Sequence, residues 1–370
     1  LAPLLGAGRS PHVTYRPGDI DVGLDDIRGA SIVKEEVVRS LNLFRAHQTF
    51  RDEMGGTPRR AILFEGPPGT GKTYLAKAMA GEAGVPFLFV SSSAFQSMYY
   101  GQTNRKIRSY FRALRKAARA EGGAIGFIEE IDAIGGARSG MGSGRSEGVS
   151  GVVNELLIQL QSFDEPPPFR RFLKALAEKV NALLPSDRQI KVSNGPAANV
   201  LILGATNRAA DLDPALVRPG RFDRSIHFDA PGRNDRREII DYYLDRKSHA
   251  ADLDRPERRD DLASATFGYT PVMLEHRFDE ALVWALRRDA HELDWSDIQQ
   301  AKMTEELGLQ HKVEYVERER RTIATHESGH ATVAFLVGRT ADLAIGPHGR
   351  KLEVLSIIKR RQALGLLAHS

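Results

Sequence analysis

The sequence predicts an α/β fold in which a parallel sheet is flanked by helices and a smaller helical region follows. Short apolar runs that are typical of buried strands alternate with stretches of helical periodicity. These runs are 61–64, 86–90, 124–128 and 200–204. The first run is followed by a glycine-rich loop and by a helix-forming stretch that begins at Lys72. After Pro231 only helical patterns continue, to about Leu307.

Composition excludes several kinds of site. The 370 residues are enough for two or three domains. With 52 Lys and Arg against 48 Asp and Glu, the formal charge of +4 is too small to indicate nucleic acid, and we expect no such partner. Zero cysteines exclude disulfides and thiolate metal sites, so any metal must be held by His, Asp or Glu. No window reaches the roughly 20 apolar residues of a membrane helix. We expect this part of the chain to be soluble, with membrane contact only through segments outside it.

The predicted domains follow the changes of pattern along the chain. Residues 1–20 form a linker arm, residues 21–231 form the α/β domain, and residues 315–370 begin a third domain. Between them, residues 232–310 are a helical domain. Residues 164–199 interrupt the α/β domain with an apolar helical stripe, which we interpret as covering its own domain rather than docking a partner.

A phosphate-binding loop follows the first strand. Its eight residues are Gly66, Pro67, Pro68, Gly69, Thr70, Gly71, Lys72 and Thr73. Glycines in this pattern let backbone N–H groups surround phosphates, while the lysine neutralises the β- and γ-oxygens and the threonine hydroxyl ligates Mg²⁺. The strand before the loop and the helix after it favour ATP binding over a glycine-rich turn without a ligand.

Polar residues follow the later strands. The run 124–128 ends in Glu129, expected to hold the Mg²⁺ shell, and Glu130, expected to be the general base. The strand at 200–204 leads to Asn207, which can orient water beside the γ-phosphate. Arg218 and Arg221 are candidates for arginine fingers from a neighbouring subunit, or else for a local surface pair with aspartate.

A histidine pair near the end of the sequence suggests a metal site. His326 and His330 are four residues apart, so both imidazoles share one face of a helix and can reach one Zn²⁺ ion. Glu327 lies beside them and can activate a zinc-bound water. The alternative is two solvated histidines on a helix. Val333 and Leu336 stand where a metzincin would need Gly and His, and no third ligand is evident.

The AAA+ ATPase module is resembled by the phosphate loop, the Glu129–Glu130 strand end, Asn207 and the two arginines. With the histidine pair following them, the order resembles that of the FtsH family of membrane-anchored, ATP-dependent zinc metalloproteases. The resemblance implies an AAA+ fold with a small all-α lid domain at 232–310 and the beginning of a mainly helical zinc-peptidase domain at 315–370. It also implies a homo-hexameric ring at the cytoplasmic face of the membrane. Such a ring hydrolyses ATP, pulls unfolded or tagged proteins through a pore and delivers them to the peptidase.

Further residues acquire roles only through the resemblance. Ile27 and Arg28 stand at the adenine-contacting segment, and Ile239 and Tyr243 are further candidates for the nucleotide pocket. The pore segment corresponds to Tyr99, Tyr100 and Gly101, with Tyr99 gripping the substrate. The third zinc ligand is implied to be an Asp beyond residue 370.

The chain also departs from the family pattern. Glu129 stands where the family usually has Asp, the segment 164–199 is about thirty residues longer, and the lid segment at 267–274 lacks the family's Gly-Ala-Asp. Two alternatives to an ATP-dependent protease stay open. One is an unfoldase without peptidase activity, and the other is a nucleotide-binding scaffold with weak ATPase activity.

Overall fold

A computed structural model describes most of the chain. The described residues are 11–56, 58–96, 101–136, 146–161 and 198–307, with isolated positions 176, 177, 181, 318, 321, 322, 325, 326 and 328. They fall into two compact units. The first holds the described residues up to Tyr243 together with Arg259–Leu274, and the second holds Leu244–Arg258 and the described residues from Glu275 onward.

The first unit is built on a six-stranded sheet in its described part. Its strands are β1 (Val13–Tyr15), β2 (Ala61–Glu65), β3 (Phe87–Ser91), β4 (Ala124–Glu129), β5 (Val200–Thr206) and β6 (Arg224–His227). The spatial order is β1-β3-β4-β5-β2-β6, and every pairing is parallel except that of β1 with β3. This arrangement confirms the predicted α/β fold. It also brings the carboxyl ends of β2, β4 and β5 to one edge, where ligands bind in such sheets.

Nine α-helices are described. They are α1 (Ser31–Arg45), α2 (Lys72–Ala83), α3 (Gln102–Glu121), α4 (Asp132–Gly135), α5 (Ser146–Gln161), α6 (Arg233–Leu244), α7 (Pro256–Ala265), α8 (Pro271–Arg287) and α9 (Trp295–Leu307). Helices α1 and α2 bury apolar side chains such as Phe44 and Met79 against one face of the sheet. Helices α3 and α5 bury others, such as Leu114 and Leu156, against the other face. Because both faces are covered, central strands such as β5 are buried throughout and their sequences are nearly all apolar.

Two short strands lie where the sequence predicted none. Strand β1 falls within the segment assigned to a linker arm, and β6 follows the two arginines. Both lie at the edges of the sheet, where strands are short and partly exposed, so neither has a continuous apolar run. The helix predicted in 164–199 lies almost wholly outside the described residues.

The second unit is helical where it is described, apart from an isolated bridge between His249 and Leu293. Charged side chains make contacts between its helical segments. Arg288 Nη2 lies 2.7 Å from Asp297 Oδ2, and the Arg258 guanidinium lies 4.7 Å from the centre of the Trp295 ring. No helix among the described residues is long and apolar enough to cross a membrane.

Candidate functional site

The phosphate loop connects the end of β2 to the start of α2. Gly66, Gly69 and Gly71 have φ angles of 143°, 76° and 89°, a backbone region that favours glycine. A Cβ atom at Gly66 would lie 2.0 Å from the carbonyl oxygen of Phe228, so no larger residue fits there. At Gly71, by contrast, a Cβ atom would have no neighbour within 4 Å. The loop is therefore packed against β6 at its start and open at its end, where α2 begins.

Lys72 is the buried cation of this loop. Its side chain is only 9% exposed, and Nζ donates to the carbonyl oxygens of Gly66 and Pro67 at 2.7 and 2.8 Å. Nζ also donates to Asn207 Oδ1 at 2.8 Å, across 135 residues of sequence. Burial lowers the pKa of Lys72, and the nearby charge of Glu129 opposes this lowering. The Lys72 ammonium is therefore surrounded by three oxygen acceptors.

Thr73 and Glu129 form a pair of oxygen donors beside Lys72. Thr73 Oγ1 donates to Glu129 Oε1 at 2.9 Å, which joins the start of α2 to the end of β4. Hydroxyl and carboxylate oxygens are ligands that Mg²⁺ prefers. The residues present therefore fit a magnesium ion, which Thr73 and Glu129 would hold directly or through water.

Glu130 lines the same cleft as these residues, and its side chain is exposed. Its φ angle is 53°, a conformation that costs a residue other than glycine about 1 kcal/mol or more. Neighbouring main-chain bonds hold the turn: Ile131 N–H donates to Ala205 O and Ala133 N–H donates to Glu130 O, both at 2.9 Å. A strained carboxylate residue thus faces the phosphate loop.

Two contacts near the cleft were missed by sequence reasoning. Thr206, which is 1% exposed, donates to Asp132 Oδ1 at 2.6 Å and accepts from the Arg208 N–H at 2.9 Å. The Thr206 hydroxyl therefore joins the end of β5, just before Asn207, to Asp132 and to the main chain of Arg208. The only sequence signal was the position of Thr206 at the end of an apolar strand.

The second missed contact comes from the start of α8. Val272 lines the cleft, and its N–H donates to Gly69 O at 3.4 Å. Thr270 Oγ1 would lie 2.8 Å from a Cβ atom at Gly69, so this threonine also lies against the loop. The segment 267–274 has no sequence pattern that predicts this contact.

The residues proposed for the adenine pocket lie partly together. A Cβ atom at Gly29 would lie 2.7 Å from Ile239 Cδ1, and the Gly29 N–H donates to Glu238 Oε2 at 3.2 Å. The segment that contains Ile27 and Arg28 is thus adjacent to α6 and Ile239. Tyr243 lies one turn further along α6 and is half-buried.

The two arginines lie outside the cleft lining of their own chain, as far as the structure describes it. Arg221 Nη1 donates to Ala215 O at 2.6 Å. Arg218 is exposed and has no ion-pair or hydrogen-bond partner among the described side chains.

Several predicted residues lie outside the described part of the chain. Tyr99 and Tyr100 are among them, whereas Gly101 precedes α3 with a φ angle of 76°. Glu327 and His330 are also outside it, and His326 is helical and exposed. Within the described ranges no three His, Asp or Glu residues cluster to hold a metal. The zinc site therefore stays a prediction.

Comparison with known proteins agrees with this geometry. Residues 62–230 match the model of the ATPase family associated with various cellular activities (AAA). The chain is 37% identical over 333 residues to ATP-dependent zinc metalloprotease FtsH 3 of Sphaerobacter thermophilus, covering 89% of this chain and 59% of that protein. It is 34% identical to ATP-dependent zinc metalloprotease FtsH of Aquifex aeolicus, covering 97% and 49%, respectively.

The protein of the same name from Nitrosococcus oceani is 33% identical, with 98% of this chain and 49% of that protein covered. The chain thus spans about half the length of the curated relatives it matches. With its mainly parallel sheet and the phosphate loop at the carboxyl edge of that sheet, this chain has an AAA domain and is a homologue of the FtsH ATP-dependent zinc metalloproteases over most of its own length.

Proposed function

We propose that this chain binds ATP in the cleft beside Lys72 and hydrolyses it. The observation that carries the proposal is a group of side chains from three strand ends. Lys72 Nζ lies 2.8 Å from Asn207 Oδ1, and Thr73 Oγ1 lies 2.9 Å from Glu129 Oε1. Glu130 lines the same cleft. Phosphoryl transfer depends mostly on positioning and electrostatic stabilisation, and this group offers both.

Each residue of the group has a distinct role in the proposal. The Lys72 ammonium exchanges its carbonyl partners for phosphate oxygens, which carry more negative charge. Thr73 and Glu129 would hold a Mg²⁺ ion, whose positive charge would offset the negative charge of the phosphates. The Asn207 amide orients a water molecule. The Glu130 carboxylate accepts a proton from that water as its oxygen bonds to the γ-phosphorus and the bond to the β-phosphate oxygen breaks.

Replacing Glu130 with glutamine tests the proposal, because the amide keeps the shape of the side chain and cannot accept the proton. We expect kcat for ATP to fall by about 100-fold or more. The dissociation constant for ATP should change by less than about twofold, because Lys72 and the loop are untouched. Glu121→Gln, at the exposed end of α3, is the matched control and should keep the wild-type rate.

A Glu130→Gln variant that turns over ATP at the wild-type rate would contradict the proposed mechanism. If the wild-type protein is itself no faster than Glu130→Gln while both bind ATP, the chain is a nucleotide-binding scaffold. That alternative has one observation in its favour, since Glu129 accepts a hydrogen bond directly from Thr73 and its side chain is one methylene longer than the Asp that the family usually has.

We further propose that the parent protein works as a homo-hexameric ring in which Arg218 and Arg221 act on the ATP of a neighbouring subunit. The exposed Arg218 supports this part of the proposal. Mixing Arg218→Ala chains with Glu130→Gln chains tests it. Some sites in a mixed ring combine an intact Glu130 with an intact Arg218 from the neighbour, so part of the ATPase activity should return. No recovery in assembled mixed rings would count against action between subunits.

The last part of the proposal concerns proteolysis. The relatives are named ATP-dependent zinc metalloproteases, which supports a zinc site at His326 and His330 with Glu327 as general base. The proposal also places the substrate pore at Tyr99, Tyr100 and Gly101, as the sequence resemblance implies. We infer a membrane-anchored parent with this region at the cytoplasmic face. The full-length parent should digest unfolded casein only with ATP and without a chelator. Digestion that survives Glu327→Gln would refute the zinc mechanism, whereas persistent ATPase activity without digestion would favour the unfoldase.

A further inference from the structure

Ser92 is a fully buried serine next to the proposed general base. It follows β3 and begins a short 3-10 turn, Ser92–Phe95. Its side chain is 0% exposed, and its hydroxyl donates to the main-chain carbonyl oxygen of Glu130. A buried hydroxyl needs a hydrogen-bond partner. The partner of Ser92 is the carbonyl of Glu130, the residue of this turn that has an unfavourable backbone conformation.

The backbone of Glu130 needs this support. Among the described residues, Glu130 and Asp289 are the only ones other than glycine with a positive φ angle. Residues in this region persist when the surrounding structure holds them, and such residues are common at active sites. Among the bonds that hold the turn, those from Ile131 and Ala133 are main-chain bonds. Ser92 supplies a side-chain bond to Glu130 itself, which a substitution can remove without altering the main chain.

The turn that carries Ser92 is itself fixed on two sides. Lys106 Nζ donates to Ala94 O at 3.0 Å and to Gln96 O at 3.1 Å, which attaches the turn to α3. Gln96 Nε2 donates to Ala133 O at 3.4 Å, which attaches it to the residues after Glu130. The Ser92 hydroxyl is therefore a donor in a rigid frame and not a freely rotating surface group.

We propose that Ser92 is a positioning residue that holds the backbone of Glu130 so that its carboxylate faces the phosphate cleft. The inference rests on the proposed hydrolysis of ATP with Glu130 as the base. Without the Ser92 hydroxyl, the Glu130 carbonyl keeps only the bond from the Ala133 N–H, and the positive φ angle of Glu130 can relax to negative values. That change redirects the Cα–Cβ bond, and a shift of about 1 Å in a catalytic group can reduce a rate by up to about 100-fold.

The test compares Ser92→Ala with Ser40→Ala. Ser40 is a matched control because it is 8% exposed and its hydroxyl also donates to a main-chain carbonyl, that of Glu36 at 2.9 Å. We expect Ser92→Ala to lower kcat for ATP by about 5- to 50-fold, with the KM and the dissociation constant for ATP within about twofold of wild type. Ser40→Ala should change none of the three. A general structural defect would alter ATP affinity as well, so the division between kcat and KM identifies a positioning role.

A double variant gives the sharper result. Ser92→Ala in the Glu130→Gln background should cause no further loss in single-turnover hydrolysis of radiolabelled ATP, because the base that Ser92 positions is already absent. If the two losses multiply, Ser92 acts independently of Glu130 and the inference is overturned.

The two proposals fail in different ways. Wild-type turnover by Glu130→Gln overturns the ATPase mechanism itself. Slow turnover by Glu130→Gln together with wild-type turnover by Ser92→Ala overturns only the role of Ser92.

If Ser92→Ala does not fold, as judged by circular dichroism, Ser92→Cys replaces it. The thiol nearly fills the same space and is a weak donor, so kcat should again fall at unchanged ATP affinity. A wild-type kcat in that variant overturns the inference.

Discussion

Replacing Thr206 with valine removes one hydroxyl from the polar edge of the sheet with little change in side-chain shape. That hydroxyl donates to Asp132 Oδ1 at 2.6 Å and accepts from the Arg208 N–H at 2.9 Å. Thr206 is 1% exposed, so water cannot easily take its place. The substitution therefore removes the side-chain hydrogen bond between the turn after β4 and the end of β5, which Asn207 follows.

The expected cost follows from these two bonds. A hydrogen bond to a carboxylate contributes about 1.5 to 3 kcal/mol, and a main-chain N–H left without an acceptor costs about 1 kcal/mol. The added methyl group returns about 0.8 kcal/mol through burial. We therefore expect Thr206→Val to lower the free energy of unfolding by about 2 to 3 kcal/mol. We also expect a lower kcat for ATP, because Asn207 loses its fixed neighbour.

Urea unfolding followed by circular dichroism measures this loss. Tryptophan fluorescence is unsuitable, because both tryptophans, Trp284 and Trp295, lie in the second compact unit. Thr266→Val is the matched control, since Thr266 is also 1% exposed but donates to the neutral carbonyl of Leu262 at 2.8 Å. The control should cost about 1 kcal/mol. Equal losses in the two variants would refute a special contribution from the bond to Asp132.

Two further predictions concern the backbone of the loop and the surface of the second unit. Gly66→Ala should abolish ATP binding and lower the midpoint of thermal unfolding, because the added Cβ atom would lie 2.0 Å from Phe228 O. The control is Gly18→Ala, whose added Cβ atom would have no neighbour within 4 Å, and it should match wild type in both measurements. The exposed His276 donates a hydrogen bond to Glu305, which raises the pKa of His276 above 6.5. The small stabilising effect of this bond is therefore complete below pH 6.5 and is lost as pH rises through the folded-state pKa. NMR titration should show a midpoint above 6.5 that falls in Glu305→Gln, and a wild-type midpoint at or below 6.5 would contradict the assignment.

The sequence predicted those parts of the site whose residues are close together along the chain. The loop from Gly66 to Thr73 is recognisable because strand, turn and helix are consecutive, and the structure has α2 beginning at Lys72. The juxtaposition of Glu129 and Asn207 with this loop also follows from simple rules, since adjacent parallel strands end at the same edge. The roles of these residues in hydrolysis remain predictions until the variants are measured.

The contacts that sequence missed are those between distant segments with no distinctive pattern. Ser92 sits in a run of three serines, and nothing in that run separates the buried hydroxyl from its exposed neighbour Ser93. Val272 belongs to a segment whose composition gives no indication of a contact with Gly69. Such contacts depend on how the chain packs after its elements form, which residue periodicity does not encode.

Strand β1 has a practical consequence for producing shorter forms of this protein. It pairs antiparallel with β3 through Val13, Thr14 and Tyr15, and so it covers one margin of the sheet. A protein that starts at Pro17 would leave the main-chain groups of β3, whose sequence is FLFVS, open to pairing with another molecule. An isolated ATPase domain should therefore begin before Val13 if it is to stay monodisperse during purification.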